Sequence, residues 1–359
     1  MRQQAPHSLP KLMPERAKIE TIRILRQESK SAAALAELKG IAETIPNQSM
    51  LINAVVLQEA KDSSEIENII TTQDELYKAL TVNSAQVDLR TKEVVNYRQA
   101  LFLGYDILRK QDFLKVNDIL RIQEQLEANK AGIRAVPGTV LKNDSTGDIV
   151  YTPPQSKDEI LDLMDNFIYH YNLNENDISP LILLAVLHAQ FESIHPFYDG
   201  NGRTGRILNL LYLIMNRLLS VPILYHSSYI IENKSVYYKT LNKINTTGEW
   251  EDFIIFMLRS IEETSKLTIK KIKMIRDLLD KQVDEVREKA PKIYRKELVE
   301  LLFEQPYCKI EFVVNALDVE RKAASRYLKE LEEIGLLTSL KIGRENLYIN
   351  NALMNILKT

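Results

Sequence analysis

The sequence predicts a mainly α-helical protein with one β-hairpin in its middle and a winged-helix domain at its C-terminal end. Three observations carry that expectation. Apolar residues recur at helical spacing through most of the chain before Gly132 and again from 157 to 289. One stretch, 132–154, breaks that rhythm with Pro, Gly and β-branched residues. From 291 onward, three short helical patterns are followed by two strand-like runs around a turn.

In chain order, residues 1–15 are rich in Pro and Gln and read as an extended arm. Helical patterns follow at 15–39 and 50–61, then a short charged helix after Ser63, then 75–80, 87–109 and 117–127. The hairpin strands are expected at 139–141 and 149–151, joined by a turn at 143–147 and ended by Pro153-Pro154. Helices resume at 158–172, 180–194 and 203–219, the last apolar nearly all round and therefore expected to be buried. Further helices are expected at 234–244 and 250–273, with a charged helical connector at 273–289. The terminal unit reads as helices at 295–303, 310–317 and 321–334, the third stopped by Gly335, then strands at 336–338 and 346–349.

Hydrophobic residues at 45% suffice for a core, and a formal charge of -2 gives the whole molecule no strong pull towards nucleic acid or anionic membranes. Cys308 is the sole cysteine, so no intrachain disulfide can form and Cys-rich zinc sites are excluded. The N-terminus shows no apolar signal region, and the longest apolar run is broken by His188, Gln190 and Glu192, so no membrane span is read. The expected location is the cytoplasm.

The chemistry concentrates in His195-Pro196-Phe197-Tyr198-Asp199-Gly200-Asn201-Gly202-Arg203-Thr204-Gly205-Arg206, between two apolar helices. Gly200, Asn201 and Gly202 are expected to take left-handed conformations that turn successive N–H groups to one side. The next helix is expected to begin near Arg203, so its positive dipole end faces the same point. Arg203 and Arg206, three apart, can fork onto phosphate oxygens. Asp199 is placed for a divalent cation that bridges phosphates, and His195 for a proton from an incoming nucleophile. Gly200, Gly202 and Gly205 also satisfy G-x-G-x-x-G, but a helix rather than a strand precedes them, which argues against a dinucleotide fold. No Walker A loop occurs.

The loop resembles the Fic family signature, His-Pro-Phe-x-(Asp or Glu)-Gly-Asn-Gly-Arg-x-x-Arg, at every fixed position. The resemblance extends over roughly 15–275. It implies a Fic helical core with a β-hairpin flap and the transfer of AMP from ATP to a protein hydroxyl. By the resemblance, His195 is the general base, Asp199 holds Mg2+, Asn201 and the neighbouring N–H groups of Gly200, Gly202, Thr204 and Gly205 surround the phosphates, and Arg203 and Arg206 hold the β- and γ-phosphates. Phe197 would be a core anchor. The related Doc kinase carries Lys where this chain has Gly202-Arg203, so the intact pair favours AMP transfer over phosphoryl transfer.

Ser63-Ser64-Glu65-Ile66-Glu67-Asn68 resembles the family's inhibitory motif, (Ser or Thr)-x-x-x-Glu-(Gly or Asn), in which the glutamate pairs with the second motif arginine, here Arg206. The same residues also read as a capping box, Ser64 to Glu67, at a helix start. Tyr237, Tyr238 and Asn245 match positions that contact adenine and ribose in the family. The alternative for the tyrosines is packing. His170 and His188 read as packing or surface residues. The flap, about 139–152, is expected to dock a protein target by strand addition.

The units implied are an N-terminal helical region (1–110) with the inhibitory helix at about 60–70, a Fic core (111–275), a connector (276–290) and a winged-helix domain (291–359). Family members of this architecture often pair through the core, which leaves a homodimer open. On the third helix of the winged unit, Glu330, Glu332 and Glu333 dilute Arg321, Lys322, Arg326 and Lys329, so DNA contact is not favoured over target docking. The competing functions are removal of AMP from modified targets and a nucleotide-sensing winged-helix regulator.

Overall fold

The computed structural model describes residues 9–45, 48–81, 87–142, 147–175, 177–343 and 345–358, without the side chains of Met50 and Leu51. The first part of the expected arm, 1–8, and most of the hairpin turn, 143–146, lie outside the described residues.

The N-terminal region forms α1 (Arg16–Ile19), α2 (Ile22–Glu43), α3 (Gln48–Ile66), α4 (Gln73–Thr81), α5 (Leu89–Gln111) and α6 (Val116–Glu127). Thr21 breaks α1 from α2 by capping the latter, its hydroxyl accepting from Ile24 N. No helix starts at Ser63. The charged segment is the last turn of α3, because Ala54 through Ala60 carry the buried apolar stripe straight into it. The capping-box reading of Ser64 is therefore overturned.

The hairpin consists of β1 (Leu141–Lys142) and β2 (Ile149–Tyr151), antiparallel, with Leu141 opposite Tyr151. The first strand is shorter than expected. Thr139 is held instead by a side chain, its carbonyl accepting from Gln155 Nε2 at 3.0 Å while Gln155 Oε1 accepts from Gly138 N at 2.7 Å.

The central helices are α7 (Lys157–Asn172), α8 (Pro180–Ile194) and α9 (Asn201–Met215). Ser156 caps α7 and Pro180 opens α8. Both α8 and α9 are buried around nearly their whole circumference, as their unbroken apolar patterns predict. Then come α10 (Ser227–Glu232), α11 (Lys234–Thr247) and α12 (Glu251–Lys289). The two helices expected over 250–289 are one continuous helix of 39 residues, since no Gly or Pro interrupts it. Its buried Ser260, Thr264, Ser265 and Thr268 keep one face thin, and α2 lies along it, with Ser31 Oγ donating to Leu258 O at 2.7 Å.

The terminal unit runs α13 (Lys296–Glu304), β3 (Tyr307–Cys308), α14 (Ile310–Leu317), α15 (Arg321–Glu333), β4 (Thr338–Ile342) and β5 (Glu345–Ile349), with an unanticipated α16 (Asn351–Lys358). The antiparallel sheet order β3-β5-β4 is that of a winged helix. Leu336 is not in β4, because its N–H closes the end of α15 on Leu331 O at 3.0 Å around a left-handed Gly335. This unit grips the segment after α3. Tyr77 of α4 stacks on Tyr307 at 5.9 Å, and Asp74 accepts from Tyr307 Oη at 2.6 Å and from Lys358 Nζ at 2.9 Å.

Candidate active site

The loop from His195 to Gly200 joins α8 to α9. His195 caps α8 in a left-handed conformation, φ 49°, a strained backbone for a residue with a Cβ. What holds it is Arg134, a residue that motif reading passed over. Its buried guanidinium donates to His195 O at 2.7 Å, to Ile194 O at 3.2 Å and to Pro154 O, while its N–H bonds Pro196 O at 3.0 Å. One side chain thus ties the base of the hairpin to the end of α8. Replacing Arg134 by Met removes these donors from buried carbonyls, and the unfolding free energy in a denaturant titration is expected to fall by about 2–4 kcal/mol.

The imidazole of His195 is pulled down to about 4, by burial first and by the Arg134 charge second. At neutral pH it is therefore an uncharged ring able to accept a proton.

Only Gly200 of the three expected nest residues is left-handed, φ 76°, and it caps α9. Asn201 and Gly202 are already helical, because Thr204 N bonds Gly200 O at 2.9 Å and closes the first turn there. The donors left open in this loop are thus those at the start of α9 itself, where the leading N–H groups have no intrahelical acceptor. The side chain of Asn201 is not turned to a ligand. It accepts from Phe197 N and donates to Phe197 O, both at 2.8 Å, and so shapes the loop. Phe197 is a buried anchor, as expected. Asp199 is largely exposed at the mouth, with Oδ1 accepting from Gly200 N at 2.7 Å. Thr204 is fully buried and Gly205 lies against Glu192 and Phe191.

The two arginines differ from the expected pair of open phosphate hands. Arg203 is buried and paired, donating to Glu127 at 2.8 Å and Glu93 at 3.2 Å. Burial pushes the Glu127 carboxyl up to about 7 against the pull of Arg203. Arg206 is engaged by α3. Its Nε donates to Ser63 Oγ at 2.7 Å, and one terminal nitrogen donates to Ser63 O at 2.9 Å and Glu67 Oε1 at 2.8 Å. Burial alone would raise the Glu67 carboxyl, but the charge and hydrogen bond of Arg206, together with the charges of Arg203 and Lys234, hold the group below the usual range. Glu67 spans the face of α9 only because position 202 lacks a side chain. A Cβ there would lie 2.4 Å from Glu67 Oε1.

Glu59, Ser63 and Glu67 repeat every four residues and share one face of α3. Glu59 is fully buried and accepts from Tyr97 Oη at 3.1 Å, Ser227 N at 3.1 Å and Ser227 Oγ. Asn68 is left-handed, φ 64°, with Asn68 N bonding Glu65 O and Ile69 N bonding Ser64 O, both at 3.0 Å. These two bonds form a Schellman cap, which places Glu67 at the end of the helix.

Tyr237, expected at the nucleotide, is packed in the core. It is 1% exposed, and its hydroxyl is 2.8 Å from His188 Nε2, among Phe253 and Phe256. Tyr238 is 43% exposed, and Asn245 Oδ1 accepts from Ser193 Oγ at 2.9 Å near the end of α8. Glu192, one turn before His195, is a further carboxylate beside the site, pushed up to about 7 by burial. Among the described residues no group of three or more His, Cys, Asp or Glu could hold a metal ion, and no helix is long and apolar enough to cross a membrane.

A helical pair bridged by a phosphate-type loop, flanked by a hairpin and closed by an arginine–glutamate pair, defines a Fic-type core. Sequence comparison agrees along the chain. Residues 25–106 match the family described as Fic/DOC family N-terminal, 113–213 the Fic/DOC family, and 278–353 the C-terminal domain of protein adenylyltransferase SoFic-like. The chain belongs to the Fic/DOC family. It is 28% identical over 181 residues to "Protein adenylyltransferase Fic" of Nematostella vectensis, covering 49% of this chain and 39% of that protein. A "Probable protein adenylyltransferase" of Aquifex aeolicus is 43% identical over 63 residues, 18% of this chain and 20% of that protein. The chain therefore spans well under half the length of these curated relatives. In fold, it resembles the crystal structure of a Fic family protein from Desulfovibrio desulfuricans G20, with TM-score 0.58, 17% identity, and 92% of this chain and 96% of that chain covered.

Proposed function

We propose that the protein is an adenylyltransferase that moves AMP from ATP to a Ser, Thr or Tyr hydroxyl of a protein, with His195 as base and Glu67 as an internal brake. The observation that carries this is the convergence on one helix start of an uncharged His195, the open N–H groups of α9 and an Arg206 already paired with a carboxylate. The names of the adenylyltransferase relatives support the reaction class.

In the proposed step, His195 takes the proton of the target hydroxyl as its oxygen attacks the α-phosphorus. The bond from that phosphorus to the bridging oxygen breaks, and pyrophosphate leaves towards the start of α9 and Arg206. A Mg2+ ion carried by ATP fits Asp199, since a single exposed carboxylate suits a cation that takes most of its ligands from phosphate and water. Such an ion would neutralise charge on the departing pyrophosphate. Arg206 can serve the terminal phosphate only after it leaves Glu67. Arg203, committed to Glu93 and Glu127, supports the loop from behind.

The test is incubation of the wild-type protein, Glu67→Gly and His195→Ala with Mg2+ and α-labelled ATP, with label on protein as the readout. No label in any variant, despite ATP binding, would sink the reading. The cap adds a graded prediction. Asn68→Val places a β-branched residue at a left-handed position, at a cost of about 1–2 kcal/mol, and basal labelling is expected to rise severalfold. Asn68→Gly keeps the conformation and is expected to leave labelling near wild type.

A further inference from the structure

We propose that the C-terminal winged-helix unit binds duplex DNA, with α15 in the major groove and the β4–β5 wing beside it. This goes beyond the AMP-transfer reading and does not rest on it. The order helix, three-residue turn, helix places α14 and α15 as a helix-turn-helix pair, the turn made possible by a left-handed Asp318, φ 50°. In that motif the second helix is the one that enters the major groove.

The charge on α15 decides the matter differently from composition. Its buried face is Ala324, Tyr327, Leu328 and Leu331. The opposite face carries Arg321, Lys322, Arg326 and Lys329, all exposed, with Ser325 between them. Of the three glutamates on this helix, Glu330 lies to one side and is half-buried, and Glu332 is turned onto the wing, where it accepts from Ser339 N at 2.9 Å; Glu333 is exposed on the basic face but follows Lys329 by one turn, at the C-terminal end beyond the four basic residues. Lys341 on β4 adds an exposed charge on the wing. Among the described residues, none of these five basic side chains has an ion-pair partner. On α12, by contrast, Lys266 and Lys289 are paired with glutamates one turn away. Four exposed basic side chains without ion-pair partners on the second helix, with Lys341 on the wing, are the footprint that phosphate contacts require.

The test uses the full-length protein and a labelled mixed-sequence duplex of about 20 base pairs, with fluorescence anisotropy followed at salt from about 50 mM upward. Wild type is expected to bind, with log affinity falling linearly against log salt. Arg326→Glu/Lys329→Glu is expected to lose roughly tenfold or more in affinity and to flatten the salt slope by about two. The milder Arg326→Ala/Lys329→Ala pair is expected to shift both readouts in the same direction, and it serves if the reversed pair does not fold. Lys270→Glu/Lys273→Glu, on the exposed face of α12, is expected to bind as wild type does. The proposal is overturned by absence of binding at low salt, by α15 variants that bind like wild type, by an equal loss in the α12 control, or by stronger binding of single-stranded or RNA probes than of the duplex.

Discussion

Glu67→Gly is expected to raise protein labelling from ATP by roughly ten- to a hundredfold over wild type, equivalent to about 1.4–2.7 kcal/mol. The effect follows from competition. In the closed geometry Arg206 gives Glu67 a 2.8 Å bond, and a terminal phosphate must displace that carboxylate before it can use the same guanidinium. The exposed portion of Glu67, about a third of its side chain at 35%, limits how strongly the pair can hold. Removing the carboxylate leaves Ser63 still bonded to Arg206, so the guanidinium stays in place while its outer edge is freed. The gain should therefore appear in turnover and in ATP affinity together. Tight ATP binding with no gain in label would show that Glu67 does something other than block the productive pose.

His195→Ala in the Glu67→Gly background is expected to abolish that gain, lowering the rate by about 10²–10⁴-fold while ATP affinity changes little. The His195 side chain offers no charge to the nucleotide, since its conjugate acid is held down at about 4. It can act as a proton acceptor throughout the neutral range. Accordingly, kcat/KM of the Glu67→Gly protein should stay flat between about pH 8 and 6, where an ordinary imidazole near 6.5 would already lose activity. The same depression has a stability consequence. The unfolded histidine binds its proton near 6.5 and the folded one only near 4, so stability contributed here is intact above about pH 6.5 and declines as pH falls towards 4. A pH–rate profile bending at 6.5 would contradict the assigned state of the ring.

Much of the fold was legible because helical periodicity is local. The boundaries of α8 and the hairpin's second strand follow directly from Pro180, from the loop at His195 and from Pro153. The signature loop was legible because its parts are contiguous. Its partners were not. Glu93, Glu127 and Arg134 reach the loop from α5, α6 and the segment before the hairpin, and no spacing rule links them to Arg203 or His195. The burial of Tyr237 beside an exposed Tyr238 was not legible either, since only tertiary packing decides which of two adjacent tyrosines faces inward. The motif match at Asn201 was sound as a pattern, yet the side chain works on the loop's own backbone. Ser64 shows how local rules can mislead, because a Ser-x-x-Glu pattern also occurs where a helix ends.

The Schellman cap at Asn68 has a kinetic side. A carboxylate mounted at a helix terminus belongs to the part of the structure that frays first, and such ends open locally at a small fraction of the global unfolding free energy. Glu59 and Ser63, two turns and one turn back, are buried and bonded, so the opening can stop short of them. On the proposed reading, the Glu67–Arg206 contact can therefore open by local melting of a few residues, on a microsecond or slower timescale, without moving the helix as a body. On that reading, basal labelling is set by the stability of one turn of backbone.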